Sequence, residues 1–316
     1  MTMDPRVIVL CGGVGGAKLA LGLDRSLPRG DLTIIVNTGD DFDHLGLRIC
    51  PDLDTVLYTL AGVVHPAQGW GRADETFRVL DEIAGRGGPD WFRLGDQDLA
   101  LHLQRTARWR RGDRLTAITA DLAEQFNVGS KMLPMTDSVV ATRLDTGEGV
   151  LEFQDYFVRR RCEPVVQGLE YVGAASATLS PEVIRALASP RLERIVIAPS
   201  NPLLSIAPIL AVSGMRDRLR GAGVPIIAVA PLIGGRAIKG PTAKLMQELG
   251  IQPGLRGIAD FYADLIDAMV IDSADGHEAT MLGCVVASTD TLMQTMEDRL
   301  RVARSVLELS VKGGRP

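Results

Sequence analysis

Apolar positions follow two rhythms along this chain. Val7–Cys11 is an unbroken apolar run, and Leu32–Val36 is nearly so; both suit a parallel sheet buried on two faces. Between them lie five residues with four glycines, 12–16, and then a helix-period pattern over 17–27 that stops before Pro28. Over residues 54–125 the helical rhythm dominates, predicting helices at 55–61, 74–84, 96–109 and 114–126. Short alternating runs follow at 138–144, 149–153 and 156–160, which read as an antiparallel meander or edge hairpin. Strand and helix then alternate again. Ser180-Pro181-Glu182 sets an N-cap serine before a proline at the first helical position. Strands are predicted at 194–198, 224–230, 269–271 and 284–287, a long terminal helix at 289–309, and a frayed tail at 312–316.

This order predicts an α/β fold: a Rossmann-like, doubly wound, mostly parallel sheet with a small helical subdomain inserted. The expected division is residues 1–62 with 127–316 as the nucleotide-binding α/β domain, and 63–126 as the helical subdomain. In such sheets ligands sit at the carboxyl ends of the strands. No internal repeat or low-complexity segment interrupts the pattern.

Composition narrows the function classes. The 316 residues are 46% hydrophobic, 23% charged and 4% aromatic, with a net charge of −5. That balance argues against nucleic acid as a main partner, which demands a dense basic footprint. Cys11, Cys50, Cys162 and Cys284 have no metal-like spacing and read as reduced thiols. No signal peptide and no apolar stretch of membrane-spanning length is read, so the expected location is cytoplasmic, with no membrane partner.

The loop from Gly12 to Lys18 carries the first candidate chemistry. Glycines at 12, 13, 15 and 16 let a phosphate approach the backbone, and the following helix offers free N–H groups and a positive dipole end. Lys18 adds charge one turn in. This is no Walker A loop, because Ala17 precedes the lysine and Leu19 stands where Ser or Thr would hold magnesium. A dinucleotide fingerprint also fails, with Lys18 at its last glycine position. The other role open to the loop is packing strand against helix.

Asp40, Asp41, Asp52 and Asp54 form the second set. Carboxylates near a phosphate loop suit a hard cation bridging a diphosphate, and magnesium takes only one or two of them. At least one of Asp52 and Asp54 is expected to cap the helix that Pro51 opens. Trp70, between Gly69 and Gly71, either stacks a flat ring or anchors the insertion. Arg93 and Asp96 either reach a ligand or pair with each other. Ser200 and Asn201, between two prolines, offer short polar groups or form an Asx-type turn. The four histidines lack zinc spacing, and His102 is expected to be structural.

Taken in order, these segments resemble the 2-phospho-L-lactate transferases of coenzyme F420 biosynthesis. The resemblance rests on the glycine loop to Lys18 and on segments 37–41, 50–58, 69–77, 94–102, 133–137, 153–157, 198–202 and 231–234. It implies a homodimeric, magnesium-dependent transferase. Such an enzyme moves a phospho-acid from its guanosine diphosphate carrier to 7,8-didemethyl-8-hydroxy-5-deazariboflavin and releases GMP. It assigns Gly12, Gly13, Gly15, Gly16, Lys18, Ser200 and Asn201 to the donor, and Asp54 and Arg93 to the deazaflavin. Asp40 and Asp54 are expected to hold Mg2+ and act in catalysis. The acid is phospholactate or phosphoenolpyruvate, with the glycine loop and the 50–61 segment closer to the enolpyruvyl type. Gln97 and Leu101 depart from the family pattern, where Arg and Thr are usual. The alternative is a nucleotide-sugar-binding regulator of a related family, without transferase activity; its Gly-Ser-rich stretch after the aspartates is replaced here by Phe42-Asp43-His44-Leu45-Gly46.

Overall fold

The first apolar run forms β1 (Val7–Cys11), all five residues buried. Alternate side chains leave it in opposite directions, as the strand period requires. Val7, Val9 and Cys11 join one apolar cluster, whereas Ile8 and Leu10 join another. Every residue is therefore apolar, because both faces are covered.

The computed structural model describes residues 4–237 and 240–311. After β1 come α1 (Gly13–Ser26), β2 (Leu32–Val36), the hairpin β3 (Phe42–His44) and β4 (Leu47–Ile49), and α2 (Pro51–Ala61). The inserted segment supplies α3 (Arg78–Gly85), α4 (Asp96–Arg110) and α5 (Leu115–Gln125) before β5 (Lys131–Pro134). An antiparallel trio follows: β6 (Ala141–Thr146), β7 (Gly149–Glu152) and β8 (Val166–Val172). Then come α6 (Pro181–Leu187), β9 (Arg194–Ile197), α7 (Ala207–Ala211), α8 (Met215–Arg220) and β10 (Ile226–Val229). The chain ends through the small hairpin β11 (Leu232–Ile233) and β12 (Arg236–Ala237), α9 (Thr242–Glu248), α10 (Leu255–Phe261), β13 (Ala268–Asp272), β14 (Val285–Thr289) and α11 (Met296–Glu308).

Seven strands form one sheet in the order β14-β13-β10-β9-β1-β2-β5, and every neighbouring pair is parallel. The doubly wound α/β expectation holds. The chain runs outward from β1 to β2 and β5, then returns to β9 beside β1 and runs the other way. The strand order therefore reverses between β1 and β9, the point at which open α/β sheets hold their ligands. On one face α1, α2, α5 and α11 contribute to the core cluster; the other face carries residues of α6 to α10 and of the antiparallel trio. Leu94 and Leu99 form a small separate cluster with Ile49, flanked by Phe42, Leu47 and Phe92.

Several local expectations change. The first helix starts at Gly13, inside the glycine run, rather than at residue 17. Residues 74–77 are not helical. Asp74 takes a φ of +55°, and Asp96 reaches back to accept the N–H groups of Arg78 and Val79, starting α3 there. The run 156–160 is a π-helical turn (Asp155–Arg159) with Tyr156 buried, and the third antiparallel strand is β8 instead. The strand expected at 284–287 forms as β14, and the terminal helix expected from residue 289 starts later, as α11 at Met296, where a capping box between Thr295 and Asp298 fixes its start. The expected Ser180 cap forms, accepting from the Val183 N–H at 3.2 Å. The tail predicted at 312–316 lies outside the described residues.

Candidate functional site

The carboxyl ends of β1 and β9 meet at the strand-order reversal. Ser200 Oγ donates to the Gly12 carbonyl at 2.8 Å and accepts the Gly12 N–H at 3.2 Å, joining the two strand ends. Gly13 adopts φ +62°, where a side chain is strained, and its N–H donates to Asp52 Oδ1 at 2.7 Å. A Cβ at Gly15 would lie 2.6 Å from the Pro199 carbonyl oxygen, so only glycine allows this helix–strand approach. Gly16 is buried below it, and Lys18 is half-buried on α1 one turn further. A helix start leaves four N–H groups without helical acceptors. Here Gly12 and Gly13 have partners, while among the described residues no acceptor answers Val14 and Gly15. Those two donors and the α1 dipole leave a place for an anion.

Asn201 is the N-cap of the π-helical turn Pro202–Ile206. Its Oδ1 accepts from Leu203 and Leu204, and its Nδ2 donates to Thr242 Oγ1 at 3.1 Å. Ser200 and Asn201 therefore shape the crevice wall, and the turn reading of this segment applies.

The carboxylates divide into two groups. Asp52 Oδ1 holds Gly13, and its Oδ2 accepts from Asn37 Nδ2 at 2.9 Å. Neither Asp52 nor Asp54 caps its own helix; Cys50 occupies that position without a side-chain bond. The capping expectation fails because Asp52 lies within the first turn and serves the start of α1. Burial pushes Asp52 up to about 6, against the lowering effect of its two hydrogen bonds. Asp40 is raised well above the carboxylate range by burial and then by neighbouring Asp52. Burial raises Asp41 to about 7, although Arg48, with Nη2 3.6 Å away, opposes it. One oxygen of Asp40 and both of Asp41 are buried without a hydrogen-bond partner. Buried carboxyl oxygens short of hydrogen bonds are what a small hard cation would complete, in competition with the proton that burial favours. Among the described residues no three His, Cys, Asp or Glu side chains converge as a metal cage. That pattern suits magnesium, which uses few carboxylates and keeps water and phosphate oxygens.

Asp54 has its hydrogen-bond partners elsewhere, although it is near enough to Asp41 to raise that group's pKa. It faces α4, where Arg105 grips both its oxygens: Nη1 donates to Oδ2 at 3.0 Å and Nη2 to Oδ1. His102 Nδ1 lies 3.3 Å from Arg105 Nη1 and 3.7 Å from Asp54 Oδ2. Burial lowers His102 to about 4, Asp54 partly opposing and Arg105 adding to the shift. His102 is thus part of a polar cluster rather than ordinary core. Tyr58, one turn beyond Asp54, and Asp98 complete it, with burial raising Asp98 to about 6.

The third set is split. Arg93 is exposed, its guanidinium 4.2 Å from the Phe77 ring centre. It does not pair with Asp96, whose oxygens take Thr76, Arg78 and Val79. Among the described residues no contact joins Arg93 to Asp54. Gly69, by contrast, reaches the glycine loop: a Cβ there would lie 2.7 Å from Val14 Cγ1. Trp70 next to it is 47% exposed. Gln97 donates its side-chain amide to the Asp74 carbonyl at 3.1 Å, and Leu101 is buried in the core.

Asn37, Asp52, Tyr58, Asp98 and Arg105 complete these arrangements; of them the sequence singled out only Asp52, as one of four candidate carboxylates, and not as the tie between helices. Tyr58, Asp98 and Arg105 carried only the spacing signal of four and three residues along a helix. Asn37 and Asp52 were visible as polar residues at the end of a strand and the start of a helix.

Comparison with known proteins adds to this geometry. A family model described as 2-phospho-L-lactate transferase CofD matches residues 7–303. The chain is 38% identical over 314 residues to a phosphoenolpyruvate transferase of Streptomyces coelicolor, covering 96% of this chain and 98% of that one. It is 38% identical over 305 residues to a 2-phospho-L-lactate transferase of Methanosarcina mazei, covering 96% and 99%. In solved structures it resembles a member of the UPF0052 family from Bacillus halodurans, with a TM-score of 0.64 and 15% identity over 97% of this chain and 100% of that one. This last likeness concerns the fold. Among the described residues no helix is long and apolar enough to cross a membrane.

Proposed function

The chain belongs to the 2-phospho-L-lactate transferase CofD family, and from that premise we propose that it makes a precursor of coenzyme F420. In this reading it transfers a phospho-acid from a guanosine diphosphate carrier to 7,8-didemethyl-8-hydroxy-5-deazariboflavin and releases GMP, acting in the cytoplasm as a homodimer. What supports the reading is the glycine turn at the β1/β9 reversal, whose Val14 and Gly15 N–H groups have no acceptor among the described residues, together with the buried Asp40 and Asp41 oxygens that lack hydrogen-bond partners.

The donor diphosphate lies on the α1 N-terminus, with Lys18 one turn in. Asp40 and Asp41 would hold Mg2+, which when bound neutralises charge on the diphosphate. Asp54, also expected to hold the metal, keeps acceptor positions beyond the two that Arg105 takes. Its part is to receive the ribityl hydroxyl of the acceptor. A bidentate guanidinium uses two of about four acceptor positions on a carboxylate, so others remain for the hydroxyl. Phosphoryl transfer depends mainly on positioning and charge stabilisation, and both are provided here by fixed backbone and side-chain groups. Trp70, next to the Gly69 that packs on Val14, would cover the flat deazaflavin ring, and Arg93 would be a rim contact for it.

The relatives that bear the two activities are equally identical to this chain, so overall identity does not choose the acid. The enolpyruvyl donor is preferred on the glycine loop and the 50–61 segment. The test is direct: incubate the protein with the deazaflavin, magnesium and each guanylylated acid in turn, and identify the product by mass spectrometry. A product with the enolpyruvyl acid and stoichiometric GMP is expected. No product with any donor would remove the reading.

A further inference from the structure

Buried ion pairs contribute little net stability, because desolvation offsets the attraction. The pair between α2 and α4 is of this costly kind. Arg105 is 2% exposed and both its terminal nitrogens donate to Asp54. Around it the network is loose: Tyr58 Oη, Asp98 Oδ1 and Arg72 Nε are buried without a hydrogen bond of good geometry, although Tyr58 and Asp98 face each other closely enough to shift each other's titration. Arg72 lies over the Tyr58 ring, 5.7 Å from its centre. A half-satisfied polar network is worse for stability than an apolar core, so stability alone does not account for it.

The helical period explains the arrangement. Asp54 and Tyr58, four apart, share one face of α2; Asp98, His102 and Arg105, four and three apart, share the facing side of α4. Only Arg105 is engaged with both oxygens of its partner. Its planar fork fixes the plane of the carboxylate as well as its charge, which a lysine ammonium does not do. The side-chain hydroxyl of Tyr58 and the carboxyl of Asp98 face each other without a well-formed hydrogen bond.

We infer that Arg105 is a positioning residue: it holds the Asp54 carboxylate in the one orientation that receives the acceptor hydroxyl, within a polar wall completed only when the acceptor binds. The inference rests on the transferase reading above. Its effect falls on the transfer step rather than on donor binding, because Arg105 acts through Asp54 and the donor lies on α1.

The test uses Arg105→Lys and Arg105→Gln, with turnover expressed per GDP-binding site counted by calorimetry, so that misfolded protein drops out. A misplacement of about 1 Å can cost on the order of a hundredfold in rate. Turnover per site is therefore expected to fall at least about tenfold in Arg105→Lys and further in Arg105→Gln, with donor KM unchanged. A purely structural role would lower melting temperature and the number of sites, leaving turnover per site intact. Wild-type turnover per site in either variant overturns the inference while the transferase reading stands. Failure of the wild-type protein to form product with any donor overturns the reading and the inference together.

Discussion

Asp52, in the first turn of α2, accepts the Gly13 N–H at 2.7 Å, so the start of one helix is held by the start of another. Its second oxygen takes Asn37 from the end of β2. Three chain segments are fixed at the mouth of the crevice by one carboxylate.

Replacing Asp52 by alanine strands the Gly13 N–H and one N–H of the Asn37 amide, whose Nδ2 keeps the Leu204 carbonyl at 3.4 Å. Each unsatisfied buried group costs about 1–3 kcal/mol. A destabilisation of at least about 2 kcal/mol is expected in urea unfolding, together with weaker GDP binding as the α1 N-terminus loosens. Unchanged midpoint and affinity would show that Asp52 is not the tie.

The buried carboxylates predict an unusual pH dependence. Burial raises Asp52 to about 6 and Asp41 to about 7, above the unfolded value near 4. Between those limits the folded state binds more protons than the unfolded state, so stability falls as pH rises. The penalty is absent below about pH 4 and complete above about pH 7. Between pH 5 and pH 8, without divalent cations, the wild-type protein should lose at least about 1 kcal/mol relative to Asp41→Asn. Magnesium should restore part of this at pH 8 and little at pH 5. Parallel melting curves for the two proteins would contradict the assignment.

Gly13 and Gly15 make a paired test within one turn. Gly13→Ala meets no atom within 4 Å and suffers only the positive φ, a cost of about 1–2 kcal/mol. Gly15→Ala drives a methyl group against the Pro199 carbonyl and must push α1 away from β9. Its calorimetric affinity for GDP should drop far more than that of Gly13→Ala. Equal losses would place the diphosphate elsewhere.

Asp54→Asn is expected to abolish transfer, yet it also leaves a buried guanidinium without its counter-charge. Breaking one side of such a pair costs about 3–5 kcal/mol. The double variant Asp54→Asn/Arg105→Gln should recover part of the stability in a double-mutant cycle and none of the activity. Turnover near wild type in Asp54→Asn would exclude Asp54 from the site.

Trp70→Ala removes a largely exposed ring and should change stability by no more than about 0.5 kcal/mol. If the ring covers the deazaflavin, acceptor KM rises with donor KM unchanged. An unaltered acceptor KM would assign Trp70 to the surface.

Much of the fold was legible in the sequence because period carries it. The runs at β1, β2, β9, β10 and β13 are buried on both faces, and such strands announce themselves as apolar blocks. β5 was missed, since Lys131 and Pro134 at its ends break the pattern. The π-helical turn at Asp155–Arg159 was mistaken for a strand because Tyr156-Phe157-Val158 is a run of aromatic and β-branched residues of the kind strands favour. β8 was missed because its burial does not alternate: only Val166 is fully buried.

At the site, the sequence by itself determined the residue types: a glycine turn after a buried strand, paired aspartates after the next, and a proline-flanked Ser200-Asn201. These follow from backbone constraints and chain-local chemistry, which sequence order preserves. Tertiary structure decided their partners. Ser200 meets Gly12 across 188 positions, Arg105 meets Asp54 across 51, and Asn37 meets Asp52 across 15. Such pairings depend on which helix faces cross and how deeply each charge is buried, and a linear pattern contains neither. So Asp52, one of the two aspartates of which at least one was expected to cap their helix, holds α1 instead, and Asp54 carries Arg105 on both its oxygens.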